Sequence, residues 1–277
     1  MKEKLMPNQP CHGTSIEQTS RLKYYGKILW QNILPMLAIL VVWEFVARLG
    51  LMPRALFPPI IDILEEMEFQ ISRGLFFLDI GWSLYRVAIG MFFGIIFGTL
   101  AGLVLGYIKA VERWLIPIFQ FFISIPGMAV FPIAILWFGL TEKTIIIVLA
   151  AEAGITIAFD TWTGVRSISN ALINAALSMG MAGFKLYYRI LVPAALPMIV
   201  TGFRQGFSRA WRVLIAGELI SASGYGLGFR IFHAQEFMQT ELVYLDVLII
   251  GGLGLLIERL VLRTLESYTV ERWGMVH

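Results

Sequence analysis

Long apolar runs, rather than alternation, organise this chain. Six windows are almost continuously apolar, at approximately 31–50, 81–108, 115–138, 144–162, 196–222 and 242–263. A helix needs about 20 such residues to cross roughly 30 Å of hydrocarbon, so each window predicts a transmembrane helix. A membrane β-barrel would instead show segments of about 10 alternating residues, whereas every position from Ile145 to Ala151 is apolar. The pattern therefore predicts an all-α, polytopic membrane protein of about six spanning helices.

Polar stretches divide these windows. Residues 1–30 are polar, contain Pro7 and Pro10, and lack a short apolar core followed by a small-residue cleavage site. They read as a retained tail and not as a signal peptide, leaving 31–277 as one membrane domain. After the first window, Met52 to Pro59 holds three prolines, which forbid a continuing helix. Ile60 to Arg73 then places apolar and acidic residues at helical spacing, the pattern of an amphipathic helix lying on the outer surface. In the second window, Gly90, Gly94, Gly98, Gly102 and Gly106 recur every four residues and so share one stripe, where a second helix can approach closely. Gly251, Gly252 and Gly254 have the same reading.

The longest inner stretch between windows is about 163–193. Asn174 to Met179 is rich in helix formers, Gly180 permits a turn that a side chain would hinder, and Gly183 to Arg189 can form a second short helix. A helix, a turn and a helix project from the membrane there. Pro193 and Pro197 follow near the start of the fifth window, where a missing backbone donor does least harm.

Composition agrees with the pattern and adds an orientation. The 277 residues are 58% hydrophobic and 15% charged, with mean hydropathy +0.75, against about 25% charged in ordinary soluble domains. With the N-terminus inside, inner segments carry Lys2, Lys4, Arg21, Lys23, Lys27, Lys109, Arg113, Arg166, Lys185, Arg189, Arg259, Arg263 and Arg272. Outer segments carry only Arg48, Arg54, Arg73, Lys143 and Arg230. Positive charge accumulates in cytoplasmic loops, so both termini are expected in the cytoplasm. The net charge of +3 thus reports topology and not nucleic-acid binding. Cys11 is the one cysteine and cannot form an internal disulfide; beside His12 alone it lacks the ligand set of a metal site.

In the 163–193 segment the chain resembles the permease subunits of bacterial binding-protein-dependent ABC importers. Their cytoplasmic signature is Glu-Ala-Ala, three residues, Gly, nine residues, then Ile-x-Leu-Pro. Ala175, Ala176, Gly180, Ile190 and Pro193 stand in register, with Asn174 in the acidic position and Val192 in that of leucine. The chain is similar, more narrowly, to the branch serving nitrate, sulfonates, taurine and related small anions. That likeness is carried by Leu56-Phe57-Pro58, Ser83-Leu84-Tyr85-Arg86, Ile125-Pro126, Ile135 to Gly139, Gly164-Val165-Arg166, Ala210-Trp211, Gly217-Glu218-Leu219 and Gly226-Leu227-Gly228.

The resemblance implies a type I importer fold in the bacterial inner membrane and a dimer of permeases, expected to be identical chains. It also implies two cytoplasmic ATPase subunits and an external solute-binding protein. Asn174, Ala175, Ala176, Gly180, Ile190 and Pro193 would then couple to the ATPase, although the salt bridge that a glutamate could make at position 174 is absent. ATP and Mg belong to the partner. In this sequence the Gly-x4-Gly-Lys-Ser/Thr phosphate cradle is missing, since the one Gly-Lys pair, Gly26-Lys27, precedes Ile28. The chain itself is expected to be no enzyme and to hold no cofactor or metal.

The fifth window is the most informative for a solute path. At about 100° per residue, Thr201, Arg204, Gln205, Ser208, Arg209 and Arg212 fall within roughly 140°, opposite Phe203, Phe207, Ala210 and Leu214. Ionised groups facing lipid are costly, so this arc faces a partner helix, a water-filled path or the cytoplasmic interface. Lining a path, the arginines would favour an anion. Counting about 1.5 Å per residue from Pro193, however, Arg204 stands only some 16 Å along and could snorkel inward. Glu218 further along, like Glu44 and Glu152, is an acid within an apolar window and needs a partner, with Arg86 or another donor favoured over a direct solute or proton role. His12, His233 and His277 form no constellation with these acids. Gly224, Gly226 and Gly228 suit either a gate-like turn or a plain connection. Trp30, Trp43, Trp82, Trp114 and Trp273 stand near window ends, as interfacial anchors do.

Other functions remain open at this level. A permease for amino acids, osmolytes or metal chelates could carry the same loop motif. A self-sufficient secondary transporter or channel would transport without an ATPase, but would leave the motif unexplained. A structural anchor would not require the polar arc.

Overall fold

A computed structural model describes residues 34–262, apart from 36, 222 and 223. The 1–30 tail, with Cys11 and His12, and the C-terminal stretch with Trp273 and His277 lie outside the described residues, as does the start of the first window.

Helix α1 is described over 37–48. Its Glu44 carboxylate accepts from the backbone N–H of Ile60 at 2.8 Å and from Arg48 Nε at 2.6 Å. The acid in this apolar window therefore serves the first backbone donor of α2 (Ile60–Arg73), the arrangement that a helix N-terminus favours. Trp43 stacks on Phe57 with ring centroids 4.8 Å apart and donates its indole N–H to the Pro58 carbonyl. Its position near the window end is thus also a packing position.

From residue 63 onward the core is built by three helices, α3 (Leu75–Tyr107), α6 (Glu142–Arg166) and α9 (Val192–Ser221). Val87 and Met91 from α3, Ile145, Leu149 and Ile157 from α6, and Phe207, Ala210 and Leu214 from α9 form one buried cluster. The glycine stripe of α3 lies against α6. A Cβ at Gly98 would stand 2.5 Å from the Gly154 carbonyl oxygen, and one at Gly102 would stand 2.5 Å from the Ala158 carbonyl oxygen. Such backbone approach is open only to glycine. In the last helix the expectation fails in part. Gly251 and Gly252 have open space where a side chain would go, and Gly254 alone meets a neighbour, the indole of Trp211.

The 115–138 window, read as one span, is two helices. α4 (Lys109–Ser124) ends at Ile125 and Pro126, both extended, and a short 3-10 turn at Gly127–Val130 leads into α5 (Phe131–Phe138). The two limbs are bent by 98°. Proline removes a helical donor and pushes the residue before it out of the helical region, which accounts for the break at Ile125-Pro126. Among the described residues four helices are long and apolar enough to cross a membrane, and the bent pair makes five if taken as one span.

α6 gives way to α7 (Asn170–Ser178) and α8 (Gly183–Leu186). A wide π turn at Tyr187–Leu191 joins α8 to α9, with the Val192 N–H bonded to the Tyr187 carbonyl five residues back. Pro193 therefore sits inside a helical run from Gly183 to Ser221 and not at a fresh start. α10 (Leu227–Glu236) and α11 (Thr240–Ile257) complete the described elements, with a second π turn at Glu258–Leu262.

Candidate functional site

The projecting segment is made by local rules. Ser169 caps α7, its side chain accepting from the Leu172 N–H, as serine does at helix starts. At the other end Gly180 takes the left-handed conformation at φ 75°. The Gly180 N–H bonds to the Leu177 carbonyl and the Met181 N–H to that of Ala176, the paired bonds of a glycine-terminated helix. Asn174, Ala175 and Gly180 are exposed, Ala176 is buried, and Ile190 and Pro193 are half-buried. Met179 at 75%, and Phe184 and Tyr188 at 67% each, are apolar groups left largely uncovered.

This segment is tied to α3. The Tyr187 hydroxyl donates to the Leu103 carbonyl, the Tyr187 ring lies 4.7 Å from that of Tyr107, and Phe184 meets Tyr107 edge-on. Nearby, Arg166 at the end of α6 pairs with Glu112 of α4 at 2.9 Å.

The polar face of α9 stands opposite the core, as its periodicity requires. Gly202, Gly206, Ala210 and Leu214 are buried, while Arg204, Gln205 and Arg212 are exposed and Ser208 and Arg209 half-buried. The structure does not unite these residues into one site. Arg204 pairs with Glu258 of the last π turn at 3.0 Å. Arg209 donates to the Ile123 carbonyl at 3.3 Å, and Arg212 donates to the Ser208 carbonyl one turn below it at 2.9 Å. Arg209 and Arg212 share a cavity of about 370 Å³ with Glu152 of α6, Val213 and the 123–128 segment at the bend. Gln205 and Ser208 do not line that cavity.

Glu218 lies elsewhere, within a buried ionic cluster. The fully buried Arg86 donates to both oxygens of Glu142, at 2.6 and 2.7 Å, and to Glu218 at 2.6 Å. Glu218 also accepts from Ser83 Oγ and from the Gly228 N–H at 2.9 Å. The glycine turn is held from the same side, with Gly226 N–H donating to Asp79 and Leu227 N–H to Ser83 Oγ, each at 3.0 Å. Gly226 adopts φ 133°, and a Cβ there would stand 2.4 Å from Arg86 Nη1. Arg230 of α10 completes the cluster by binding Asp246 of α11 through Nε and Nη2, with Asp79 at 3.5 Å. Sequence reasoning placed Arg230 in an outer segment, named Ser83 only within the Ser83 to Arg86 likeness, and did not single out Asp79, Glu142 or Asp246. The available signal was their polarity within or beside apolar windows.

Comparison with known proteins adds an independent line. The family model described as a binding-protein-dependent transport system inner membrane component matches residues 94–263. The chain is 30% identical over 254 residues to the putative aliphatic sulfonates transport permease protein SsuC of Bacillus subtilis, covering 89% of this chain and 91% of that one. It is 32% identical over 234 residues to the taurine transport system permease protein TauC of Escherichia coli, covering 82% and 84%. Similarity at 31% over 256 residues, covering 87% and 91%, extends to the bicarbonate transport system permease protein CmpB of Synechococcus elongatus. Among solved structures, a chain of the inward-facing MetNI methionine ABC transporter superposes with a TM-score of 0.53 at 24% identity, covering 67% of this chain and 95% of that one. This last likeness is one of fold.

Proposed function

The chain belongs to the family of binding-protein-dependent transport system inner membrane components, as an ABC importer permease of the sulfonate, taurine and bicarbonate branch, and from that premise we propose how it works. It forms the membrane path for a small anion, expected among sulfonates, taurine, bicarbonate or nitrate. An ATPase held by separate subunits drives it, and an external binding protein feeds it. Two copies of the chain make the path, with both termini in the cytoplasm. No phosphate cradle occurs in the sequence, so ATP and Mg are handled by the partner.

The observation that carries this reading is the exposed helix pair around Gly180. Its surface combines the polar Asn174 with uncovered Met179 and Phe184, a patch suited to a partner protein. Asn174, Ala175 and Gly180 form the docking surface, and the buried Ala176 supports it from the inner side of α7. Ile190 and Pro193 lie where the segment enters α9, and the Tyr187 to Leu103 bond links it to α3. A movement imposed on this segment therefore reaches two core helices together, biasing the bundle between discrete arrangements. On the polar face, Arg209 and Arg212 supply positive potential to the path, with Arg204, Gln205 and Ser208 on the same face. Glu218 supports the glycine turn at the far end of α9.

The test is ATP hydrolysis by the complex in lipid nanodiscs with its binding protein, with and without solute. Parent complex should respond to the loaded binding protein, whereas Gly180→Asp and deletion of Asn174 to Ala176 should abolish that response. Transport by the chain alone, or loop variants behaving as the parent does, would refute the reading.

A further inference from the structure

The cavity beside the bend is more than a basic patch. Glu152 lies ten residues into the 25-residue helix α6, roughly 15 Å from its start at 1.5 Å per residue. That is near the middle of a span, where a carboxylate is costly unless something serves it. No described residue donates a hydrogen bond to it. Arg209 shares the cavity with it but spends its guanidinium on the Ile123 carbonyl instead, and no ion pair joins the two. Arg212 likewise bonds within its own helix. Each charged group thus faces the cavity without a partner of opposite sign in contact.

The backbone is arranged around that carboxylate. A Cβ at Gly127 would stand 2.6 Å from Glu152 Oε1 and 2.5 Å from Val213 Cγ2, so glycine there leaves the carboxylate its present place beside the bend, and any side chain would push it or Val213 aside. Irregular backbone at membrane depth is tolerated where it is buried in protein or lines a water-filled cavity, and broken spans are a recurrent setting for solute sites. The volume, about 370 Å³, equals roughly twelve water volumes at about 30 Å³ each, enough for a small solute with its first waters.

We propose that this cavity binds a small zwitterion, with an anionic head on Arg209 and Arg212, an amine on Glu152, and a short alkyl linker against Pro126 and Val213. The proposal rests on the import reading above and deepens it, because it assigns selectivity to the permease itself. A simple anion meets the arginines but is repelled by the carboxylate. A simple cation meets the carboxylate but faces two guanidiniums. A molecule bearing both signs satisfies all three groups, and burying them together strengthens each contact by lowering the local dielectric.

Equilibrium binding of aminoethanesulfonate and propanesulfonate to the permease and ATPase complex in nanodiscs, without binding protein, tests this. The two solutes match in chain length and differ in the terminal amine. The amine-bearing sulfonate should bind more tightly to the parent. Glu152→Gln should weaken it about tenfold or more while binding propanesulfonate at least as tightly as the parent, because the repelling charge is gone, and Glu152→Asp should keep the preference. Arg209→Gln should weaken both. Equal weakening of both solutes by Glu152→Gln, equal affinity in the parent, or no binding of either at millimolar concentration overturns the proposal. ATP turnover of the same parent preparation with its binding protein decides the underlying reading separately. A response there with the wrong binding pattern sinks only the zwitterion site, and no response sinks the import reading.

Discussion

Replacing Arg86 by methionine should destabilise the fold strongly, because it strands a buried carboxylate. Arg86 is fully buried and reaches three carboxylate oxygens at 2.6 to 2.7 Å, joining α3 to the start of α6 and the end of α9. Glu218 is equally buried, while Glu142 is 29% exposed and can be hydrated. Removing one partner of a buried pair costs about 3–5 kcal/mol, because the other charge is stranded. The Glu142 contact adds little, since a half-exposed pair is screened by water. Against a total stability of about 5–15 kcal/mol, Arg86→Met should leave a visibly weakened bundle. Glu218→Gln alone should cost only about 1–2 kcal/mol, since Arg86 keeps Glu142 and the amide still meets Ser83 and Gly228. The double variant no longer strands a charge, so it should be more stable than the two single losses summed, by about 2 kcal/mol. Equilibrium unfolding in a mild detergent, followed by tryptophan fluorescence, gives the four stabilities of this cycle. A loss below about 1 kcal/mol for Arg86→Met, or strict additivity in the double variant, would refute the view that the cluster is a coupled structural clamp.

Further expectations follow from the packing. Gly98→Val should separate α3 from α6, because the added carbon meets the Gly154 backbone at 2.5 Å, and should cost about 1–3 kcal/mol or more; Gly251→Ala, with open space around it, should change stability by less than about 0.5 kcal/mol in the same unfolding assay. Gly180→Ala meets no neighbour and should cost only the left-handed strain of about 1–2 kcal/mol, so ATP stimulation should fall far less than with Gly180→Asp. Tyr187→Phe removes the bond to Leu103 and should cost about 1 kcal/mol while reducing solute-stimulated ATP turnover more than basal turnover; an unchanged ratio of the two rates would argue against a link through α3.

Most of the helical plan was legible along the chain, because crossing hydrocarbon demands long apolar runs whatever the neighbours are. Ile60 to Arg73 appears at the bounds its amphipathic spacing implied, and the turn at Gly180 follows from local helix-ending geometry. The α3 glycine stripe announced a close contact, though not that α6 supplies it. The same residue type misled at Gly251 and Gly252, since glycine permits close approach but does not require it. The 115–138 window read as one helix because apolarity is blind to direction, whereas the 98° bend depends on what the backbone does at Ile125 and Pro126. The charged residues show the division most clearly. Their presence in apolar windows was evident from sequence alone, and so was their need for partners. Which partner each found was decided by tertiary structure: Glu44 serves a backbone donor sixteen residues away, Glu218 meets Arg86 across 132 residues of chain, and Glu152 faces a cavity. Composition sets the solvation cost of each charge, but only the packing of distant helices determines what offsets it.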